Sequence, residues 1–307
     1  MSALISDREL LTLESSDGLW RAEVHPVGAS LVALWFDGAE IAGTPYSEAF
    51  FAFAGATLAP WPNRLEDGTW VFEDQARKHH INDERGHNSN HGLVFDRRFV
   101  ASHSTADSIT FEIELADDAV YPFSASVKVV YSLDERGLTQ TISMTNNSNL
   151  IIPAAFGSHP YFLLEQNSNV QINAREVFTK SSRGLPLDRV LLKGSGVAKQ
   201  GFNAATELEV DDCFTGLIEN SDANYSTLIT RPSLNRTVEI WQDRNFEYVM
   251  LFAFSEQGEN ARDYLAVEPQ TSPANSLRSG DHLTWLAPNE TESASWGVTI
   301  RNGIAND

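Results

Sequence analysis

The sequence predicts an all-β protein whose antiparallel strands stack face to face as a large sandwich. Many segments alternate apolar and polar residues with a period of two, which is typical of strands with one face on a core. These segments are short and rich in β-branched and aromatic residues, and turn-forming sequences such as SSDG, EDG, DERG and RSGD separate them. No window of about a dozen residues carries a helical stripe of apolar side chains.

The predicted strands follow one another along the whole chain. The amino-terminal half contains WRAEVH from Trp20, SITFEIEL from Ser108, SASVKVVYSL from Ser124 and LTQTISMTN from Leu138. The carboxyl-terminal half contains VQINA, TLITR, TVEIWQ, YVMLFAF, YLAVEP and WGVTI. So many strands in one open sheet would curl or split, and two stacked sheets are therefore expected.

Composition favours a single domain over residues 1–307. Of the 307 residues, 42% are hydrophobic, and large β domains reach this size around one core. No Pro-, Ser- or Gly-rich linker divides the chain, and no repeat with a period of about 20–50 residues indicates a propeller or a solenoid.

Charge and cysteine content restrict the partners and the compartment. The chain has 42 acidic and 22 basic side chains, a net charge of −20, and no cluster of Lys or Arg, so we expect neither nucleic acid nor a membrane as a partner. The first 18 residues carry acidic side chains where a signal peptide needs a basic start and an apolar run. Together with a single cysteine, Cys213, these features predict a cytoplasmic protein.

The first candidate site segment is ATLAPWPNRLEDG, residues 56–68. Two prolines fix the backbone on either side of Trp61 and display Asn63 and Arg64 ahead of an acidic turn. The guanidinium of Arg64 offers several donors in a fixed fork that suits sugar hydroxyls or a carboxylate. The alternative interpretation is a surface turn with an ordinary arginine.

The second segment is RGHNSNHGLVFD, residues 85–96. His87 and His91 are four residues apart, which is a metal-ligand spacing when it falls on a helix. The surrounding Gly, Ser and Asn residues make a helix improbable, and no thiolate or carboxylate ligand pattern accompanies the pair, so we expect no metal. For His91, a polar loop residue and an active-site histidine before the permissive Gly92 both stay open.

The third and fourth segments place polar residues beside apolar runs. In FGSHPYFLL, residues 156–164, Pro160 favours an extended backbone at His159, which could face a pocket while shielded from water; the alternative is a core histidine with satisfied hydrogen bonds. In ELEVDDCFTGL, residues 207–217, Asp211 and Asp212 are adjacent, so only one of them can face a given pocket from a strand. The alternative for this pair is a turn or a solvated edge.

The fifth segment, YLAVEPQTSPANSL, covers residues 264–277. Glu268 ends a strongly apolar strand and precedes Pro269. A carboxylate at the end of a buried strand is costly unless it has partners, so this residue indicates a function by itself.

Taken in order, these segments resemble the galactose mutarotase (aldose 1-epimerase) family. The resemblance runs through PWPNRLEDG, NHG, SHPYF, VDDCF and VEPQTSPAN to RSGDHLTW and covers most of the chain. It implies the large twisted antiparallel β-sandwich of that family, the galactose mutarotase-like supersandwich. It also implies that Glu268 is the general base and His159 the general acid.

The same resemblance implies which residues hold the sugar. Arg64, His91 and Asp211 are expected to position it, with Asn63 beside them. Asp211 is preferred over its neighbour because the family pattern places an aspartate three residues before a phenylalanine, here Phe214. Trp61, joined by Tyr161 or Phe162, is expected to supply an aromatic wall for the apolar face of the sugar.

The implied reaction interconverts the α and β anomers of a free hexose by acid/base ring opening. One base and one acid are sufficient, so no cofactor, metal or covalent nucleophile is expected, and the sequence contains no dinucleotide fingerprint, thiolate cluster or nucleophile elbow. The expected partner is a small sugar, and the protein is expected to be a monomer or a homodimer.

Three other functions remain open from the sequence. A hexose 6-phosphate substrate would need a second cation, for which the candidates are Arg77, Lys78, Arg85, Arg97 and Arg98. A non-catalytic carbohydrate-binding sandwich would use the same polar groups only as hydrogen-bond partners. A glycoside hydrolase would use Asp211 and Glu268 as its carboxylate pair, but would leave the histidines without a role.

Overall fold

The computed structural model describes residues 9–45, 53–116, 118–192, 198–203, 210–256 and 261–303. Residues 1–8 of the amino-terminal stretch that was compared with a signal peptide lie outside the described residues, as do residues 207–209 of the fourth candidate segment. The described elements are the strands β1 (Leu11–Glu14), β2 (Trp20–His25), β3 (Ser30–Phe36), β4 (Ala39–Gly43), β5 (Thr57–Leu58), β6 (Arg64–Glu66), β7 (Thr69–Phe72), β8 (Gln75–Lys78), β9 (Asn88–Asn90), β10 (Val100–Ser104), β11 (Ser108–Leu115), β12 (Ala125–Asp134), β13 (Gly137–Asn146), β14 (Ile152–Ala154), β15 (Gly157–Ser158), β16 (Tyr161–Leu164), β17 (Asn169–Lys180), β18 (Pro186–Leu191), β19 (Ala198–Asn203), β20 (Asp211–Leu217), β21 (Tyr225–Arg231), β22 (Arg236–Gln242), β23 (Tyr248–Ser255), β24 (Asp263–Gln270), β25 (Thr284–Leu286) and β26 (Thr291–Asn302), and the helix α1 (Ser276–Ser279).

The all-β prediction is confirmed, since strands account for 58% of the structure and helix for 3%. Each strand named from the sequence is found as a strand, and SITFEIEL coincides with β11 from its first residue to its last. Partly buried and fully buried residues alternate over its first half, because one face of an antiparallel strand lies on the core. Within the described residues no helix is long and apolar enough to cross a membrane.

The strands form an extended antiparallel ladder that turns back on itself. One run of neighbours joins β10, β11, β12, β13, β26, β22 and β21. A second run joins β20, β23, β24, β16, β4, β3, β2 and β1. Strand β17 connects them, because it pairs with β21 at Val170 and with β20 at Glu176. The sheet therefore turns a corner at β17.

The two runs of strands face one another across a single large hydrophobic cluster. Tyr131, on β12, is fully buried and donates a hydrogen bond across this core to the carbonyl oxygen of Ala29, before β3, at 2.7 Å. Such buried hydroxyls need a partner, and this one ties the two layers of the sandwich together. That residues 1–307 form one domain stays a prediction.

Candidate active site

Four neighbouring strands of the second run, β20, β23, β24 and β16, form the floor of a cavity of about 290 Å³. Antiparallel pairing aligns two rows of side chains on one face of these strands. The first row contains Cys213, Met250 and Glu268, and the second contains Asp211, Phe252, Ala266 and Tyr161. The register on either side of His159, Gly157 with Gln270 and Tyr161 with Ala266, places His159 directly opposite Glu268 and completes the first row.

Glu268 is buried on β24, with 2% of its surface exposed. The side-chain amide of Gln270, two residues further along the same face, donates a hydrogen bond to its Oε2 at 3.0 Å. Its Oε1 lies 3.2 Å from Nε2 of His159. Burial, assisted by the negative charge of Asp211, raises the pKa of Glu268 to about 8. The carboxyl group therefore binds a proton far more readily than an exposed glutamate does.

His159 is buried between β15 and β16, and its backbone is fixed on both sides. Its N–H donates to the carbonyl of Ala56 at 3.0 Å, and its own carbonyl accepts from Gly55 at 2.8 Å. Burial lowers the pKa of the imidazole to about 4. Nδ1 is buried and has no partner among the described residues. Any proton that His159 exchanges with the cavity therefore passes through Nε2.

Asn63 and His91 lie in the wall of the cavity and are hydrogen-bonded to each other. The backbone N–H of His91 donates to the carbonyl of Asn63 at 2.9 Å, and the backbone N–H of Asn63 donates to Nδ1 of His91 at 3.3 Å. Burial lowers the pKa of His91 well below its usual value, and His159 and Arg64 lower it further. His91 is therefore neutral with its proton on Nε2, which makes that atom a hydrogen-bond donor. Both residues have left-handed backbones, with φ of 59° and 70°, a strained state that is typical of functional sites.

Arg64, the first residue of β6, connects the wall to the floor. Its guanidinium donates to both carboxylate oxygens of Asp211, at 3.2 and 3.4 Å, and to Oδ1 of Asn63 at 3.4 Å. Gly184 has a φ of +75°, and a Cβ at this position would lie 2.7 Å from Nε of Arg64. The guanidinium therefore occupies space that only a glycine leaves available.

The structure separates the two adjacent aspartates. Asp211 lines the cavity beside Glu268, because the two residues belong to the aligned face of the sheet. Asp212, which points to the other face, pairs with Lys180 at 3.2 Å and does not line the cavity. The position of Asp211 agrees with the choice that the Phe214 spacing implies.

The structure corrects the expectation for Trp61. Its indole is 1% exposed, belongs to the main hydrophobic cluster and does not line the cavity. Its Nε1 donates to the carbonyl of Ser89 at 3.3 Å, which holds the ring beneath β9. Phe162 is also in the core. The aromatic side chains at the cavity are Tyr161, Phe53 and Phe252.

Sequence reasoning missed several residues that line the cavity. Asn82 and Asp83 reach it because β6 pairs with β9, which brings residues 82–90 beside Arg64. Met250 and Phe252 reach it through the register with β24. The alternation of YVMLFAF could have indicated that Met250 and Phe252 share a face, but not which strand lies beside them.

The two histidines with metal-ligand spacing point apart. His87 is exposed and pairs with Asp67 through Nδ1 at 3.0 Å, whereas His91 is buried in the cavity wall. Strand β9 lies between them, so the helix that the spacing would need is absent from this segment. The described part of the chain contains no group of His, Cys, Asp and Glu that could hold a metal ion.

Sequence similarity to a known enzyme family extends over almost the whole chain. The model of the aldose 1-epimerase family matches residues 9–299. The chain belongs to the aldose 1-epimerase family. This aldose 1-epimerase family member is an isomerase of the mutarotase type that acts on a sugar.

Two relatives of this aldose 1-epimerase family member are similar in sequence. The uncharacterized protein YihR of Escherichia coli K12 is 29% identical over 288 residues, which cover 90% of this chain and 88% of that protein. The galactose mutarotase of Bos taurus is 29% identical over 173 residues, which cover 55% of this chain and 48% of that enzyme.

Solved structures share the fold of this epimerase. A galactose mutarotase-like protein from Clostridium acetobutylicum has a TM-score of 0.80 at 24% identity, with 93% of each chain covered. Galactose 1-epimerase from Lactobacillus acidophilus NCFM has a TM-score of 0.76 at 20% identity, with 99% of this chain and 98% of that chain covered. At these identities the likeness establishes the architecture of the epimerase and not its substrate.

Proposed function

We propose that this epimerase interconverts the α and β anomers of a free aldose, with Glu268 as the base and His159 as the acid. The observation that carries the proposal is the 3.2 Å contact between Glu268 Oε1 and His159 Nε2 in a polar cavity. The anomeric hydroxyl and the ring oxygen of a pyranose are bonded to the same carbon. Two proton-transferring atoms that are close together can therefore reach both oxygens at once.

In the forward step, Glu268 accepts the proton of the anomeric hydroxyl, whose oxygen forms the carbonyl bond of the aldehyde. The bond between the anomeric carbon and the ring oxygen breaks, and its electron pair stays on the ring oxygen. That oxygen receives the proton from Nε2 of His159. After rotation about the bond between the first two carbons, the reverse transfers close the ring on the opposite face.

The remaining cavity residues suit a sugar that is held in one orientation. Nε2 of His91 and the guanidinium of Arg64 are donors, while Asp211 is an acceptor that Arg64 keeps in place. Tyr161 lies against His159, with ring centroids 5.0 Å apart and an interplanar angle of 25°. This stacking supports the orientation in which the imidazole meets the ring oxygen.

Polarimetry tests the proposal. Freshly dissolved α-glucose or α-galactose should lose its initial rotation faster with the protein than in buffer, and Glu268→Gln should remove the acceleration. Saturable sugar binding without acceleration would instead identify a carbohydrate-binding protein. Release of reducing sugar from a glycoside would identify a hydrolase. Either result overturns the proposal.

A second candidate substrate is an aldose with an anionic substituent, because a second compartment adjoins the first. It has a volume of about 370 Å³, shares Arg64, Asp83 and Asp211 with the first, and is also lined by Arg85, Lys180 and Arg183. Arg183 forms ion pairs with Glu66 and Asp67. Lys180 forms ion pairs with Asp211 and Asp212. Arg85 has no ion-pair partner among the described residues. Of the five cations considered from the sequence, only Arg85 lines this compartment.

Kinetics with paired substrates separate the two candidates. For an anionic substrate, glucose 6-phosphate should have a lower KM than glucose, and Arg85→Gln should raise the KM for the phosphate alone. Arg77→Gln is the matched control, because Arg77 lies on β8 and lines neither compartment. Equal KM values for both sugars in all three proteins would eliminate the anionic candidate.

A further inference from the structure

A separate cavity, of about 410 Å³, lies on the outer face of strands β13, β26 and β22 and shares no residue with the catalytic cavity or with the compartment that adjoins it. Its volume is within the range of about 300–1,000 Å³ that small-molecule sites occupy. The hairpin of β12 and β13 forms one side, and the turn between β20 and β21 forms the other.

The floor of this outer cavity contains a tryptophan that rests on a glycine. Trp241 on β22, Gly297 on β26 and Thr139 on β13 are aligned as cross-strand partners. A Cβ on Gly297 would lie 2.6 Å from Cζ2 and 2.7 Å from Cε2 of Trp241, so the indole covers the space that the glycine leaves empty. One side of the ring therefore rests on the sheet while Trp241 itself lines the cavity.

One group of polar side chains in the lining, around Glu239, is already hydrogen-bonded within the protein. The carboxylate of Glu239 accepts hydrogen bonds from Arg301 Nε at 2.7 Å and from Ser226 Oγ at 2.7 Å. Asn220 also donates to Glu239, and its own Oδ1 accepts from the backbone of Asp222 and Asn224. This network fixes the shape of the floor without needing a ligand.

Other polar groups of the lining, by contrast, are available. In the part of the chain that the structure describes, the side chains of Thr139, Asp222 and Asn224 and the indole N–H of Trp241 make no hydrogen bond, although all four residues line the cavity. They offer a hydroxyl, a carboxylate, an amide and an N–H beside an aromatic surface. Sugars combine an apolar ring face with hydroxyl groups and use this combination of partners.

The charge of the lining selects against an anion. It contains Asp134, Asp222 and Glu239 against the single cation Arg136, which pairs with Asp134 at 2.8 Å. These carboxylates are not grouped as metal ligands, since no metal-holding group is found among the described residues. Asp134 is paired with Arg136 and Glu239 with Arg301, which leaves Asp222 as the carboxylate of the lining without an ion-pair partner among the described residues. An exposed carboxylate accepts hydrogen bonds from hydroxyl groups, so the lining suits a neutral, hydroxylated ligand.

We propose that this outer cavity is a second carbohydrate site, which binds a neutral pyranose against Trp241 and hydrogen-bonds it through Asn224, Asp222 and Thr139. The site is independent of the chemistry at Glu268, because the two cavities have no residue in common. It would hold the enzyme on a glycan or a glycoside while the catalytic cavity acts on free sugar.

Methyl glycosides of glucose, galactose and mannose are suitable probes, because their blocked anomeric carbon prevents ring opening. In ¹⁵N-labelled protein, the indole N–H signal of Trp241, identified by its loss in Trp241→Phe, should shift saturably with at least one probe. In the variants the backbone amide signals of Thr139 and Thr299, which also line the cavity, report binding, and Trp241→Ala should weaken it by about tenfold or more, where tenfold corresponds to 1.4 kcal/mol. Asn224→Ala should weaken it less, and Trp241→Phe should retain part of it.

Trp285→Ala is the matched control, since Trp285 is 50% exposed on β25 and lies outside the cavity. It should leave probe binding unchanged, and mutarotation of free sugar should be unchanged in all three alanine variants. The proposal is overturned if no probe shifts the Trp241 signal, if Trp285→Ala weakens binding equally, or if only a quaternary ammonium compound shifts that signal.

Discussion

Nε2 of His159 and Oε1 of Glu268 lie 3.2 Å apart and face one another directly across two neighbouring strands. Burial shifts their pKa values in opposite directions, to about 4 for the imidazole and about 8 for the carboxyl group. Between these values the pair holds one proton. Moving that proton from the carboxyl to the imidazole creates the base and the acid that the proposed reaction requires, without exchange with solvent.

The pH dependence of kcat/KM should therefore be bell-shaped, with an acid limb near pH 4 and an alkaline limb near pH 8. Below the first value a second proton binds and the base is lost; above the second the shared proton leaves and the acid is lost. Polarimetry, corrected for the buffer-catalysed rate at each pH, measures the profile. A rate that keeps rising above pH 8 would contradict the shared-proton interpretation.

Replacing Glu268 by Gln should reduce kcat by about 10²–10⁴-fold, the contribution that a positioned acid or base makes. The amide has nearly the same shape, and its oxygen can still accept the hydrogen bond from Gln270. An unchanged circular dichroism spectrum should accompany the loss. Normal activity in this variant would show that Glu268 is not the base.

The same substitution should increase stability at alkaline pH. In the unfolded chain Glu268 ionises near its usual pKa of 4.5, whereas in the folded protein it retains its proton up to about pH 8. Its contribution to the free energy of unfolding is therefore complete below pH 4.5 and is lost as the pH rises to 8. Glu268→Gln has no such loss, so its advantage should grow over this interval, to about 1–3 kcal/mol.

Thermal unfolding at pH 5, 7 and 9 measures this difference. The Tm of the variant should exceed that of the wild type by an amount that increases with pH. A difference that is constant across the three pH values would show that the carboxyl is not held protonated by the fold.

Gly184→Ala should raise KM although Gly184 provides no side chain to the sugar. The added Cβ would lie 2.7 Å from Nε and 2.8 Å from Cζ of Arg64 and would displace the guanidinium from Asp211. We expect KM to rise by about tenfold, the equivalent of 1.4 kcal/mol. Steady-state polarimetry at several sugar concentrations measures it.

Gly280→Ala is the matched control for this substitution. Gly280 has a similar φ of +80°, so both variants carry the same kind of backbone strain, but a Cβ at Gly280 meets nothing within 4 Å. Its KM should equal that of the wild type. Equal increases in the two variants would attribute the effect to backbone strain and not to Arg64.

Local patterns were sufficient to predict the strands, because each strand has one face on the core and its residues alternate accordingly. The long-range pairings were not predictable in this way. Strand β26 fits between β13 and β22, which are distant from it along the chain, and nothing in the alternation of WGVTI distinguishes these partners from other strands.

For the site, the resemblance to the family identified residues that the structure brings together. The residues that contact them depend on the pairing register of the strands, which the resemblance did not provide. Gln270 was not considered, yet it fixes Glu268 because both residues project from the same face of β24. Trp61 was expected to face the sugar because prolines and polar residues surround it. Its ring points into the core instead, since an aromatic ring of this size is stabilised more by burial than by exposure at a cavity mouth.

The backbone beneath Glu268 and His159, the proposed catalytic pair, is hydrogen-bonded on both sides of it, at Gly157 with Gln270 and at Tyr161 with Ala266. We therefore expect neither Glu268 nor His159 to lie on a segment that opens while the rest of the sandwich stays closed. Heating should therefore inactivate the enzyme only when the entire molecule unfolds. The temperature of half-inactivation should then equal the midpoint of thermal unfolding.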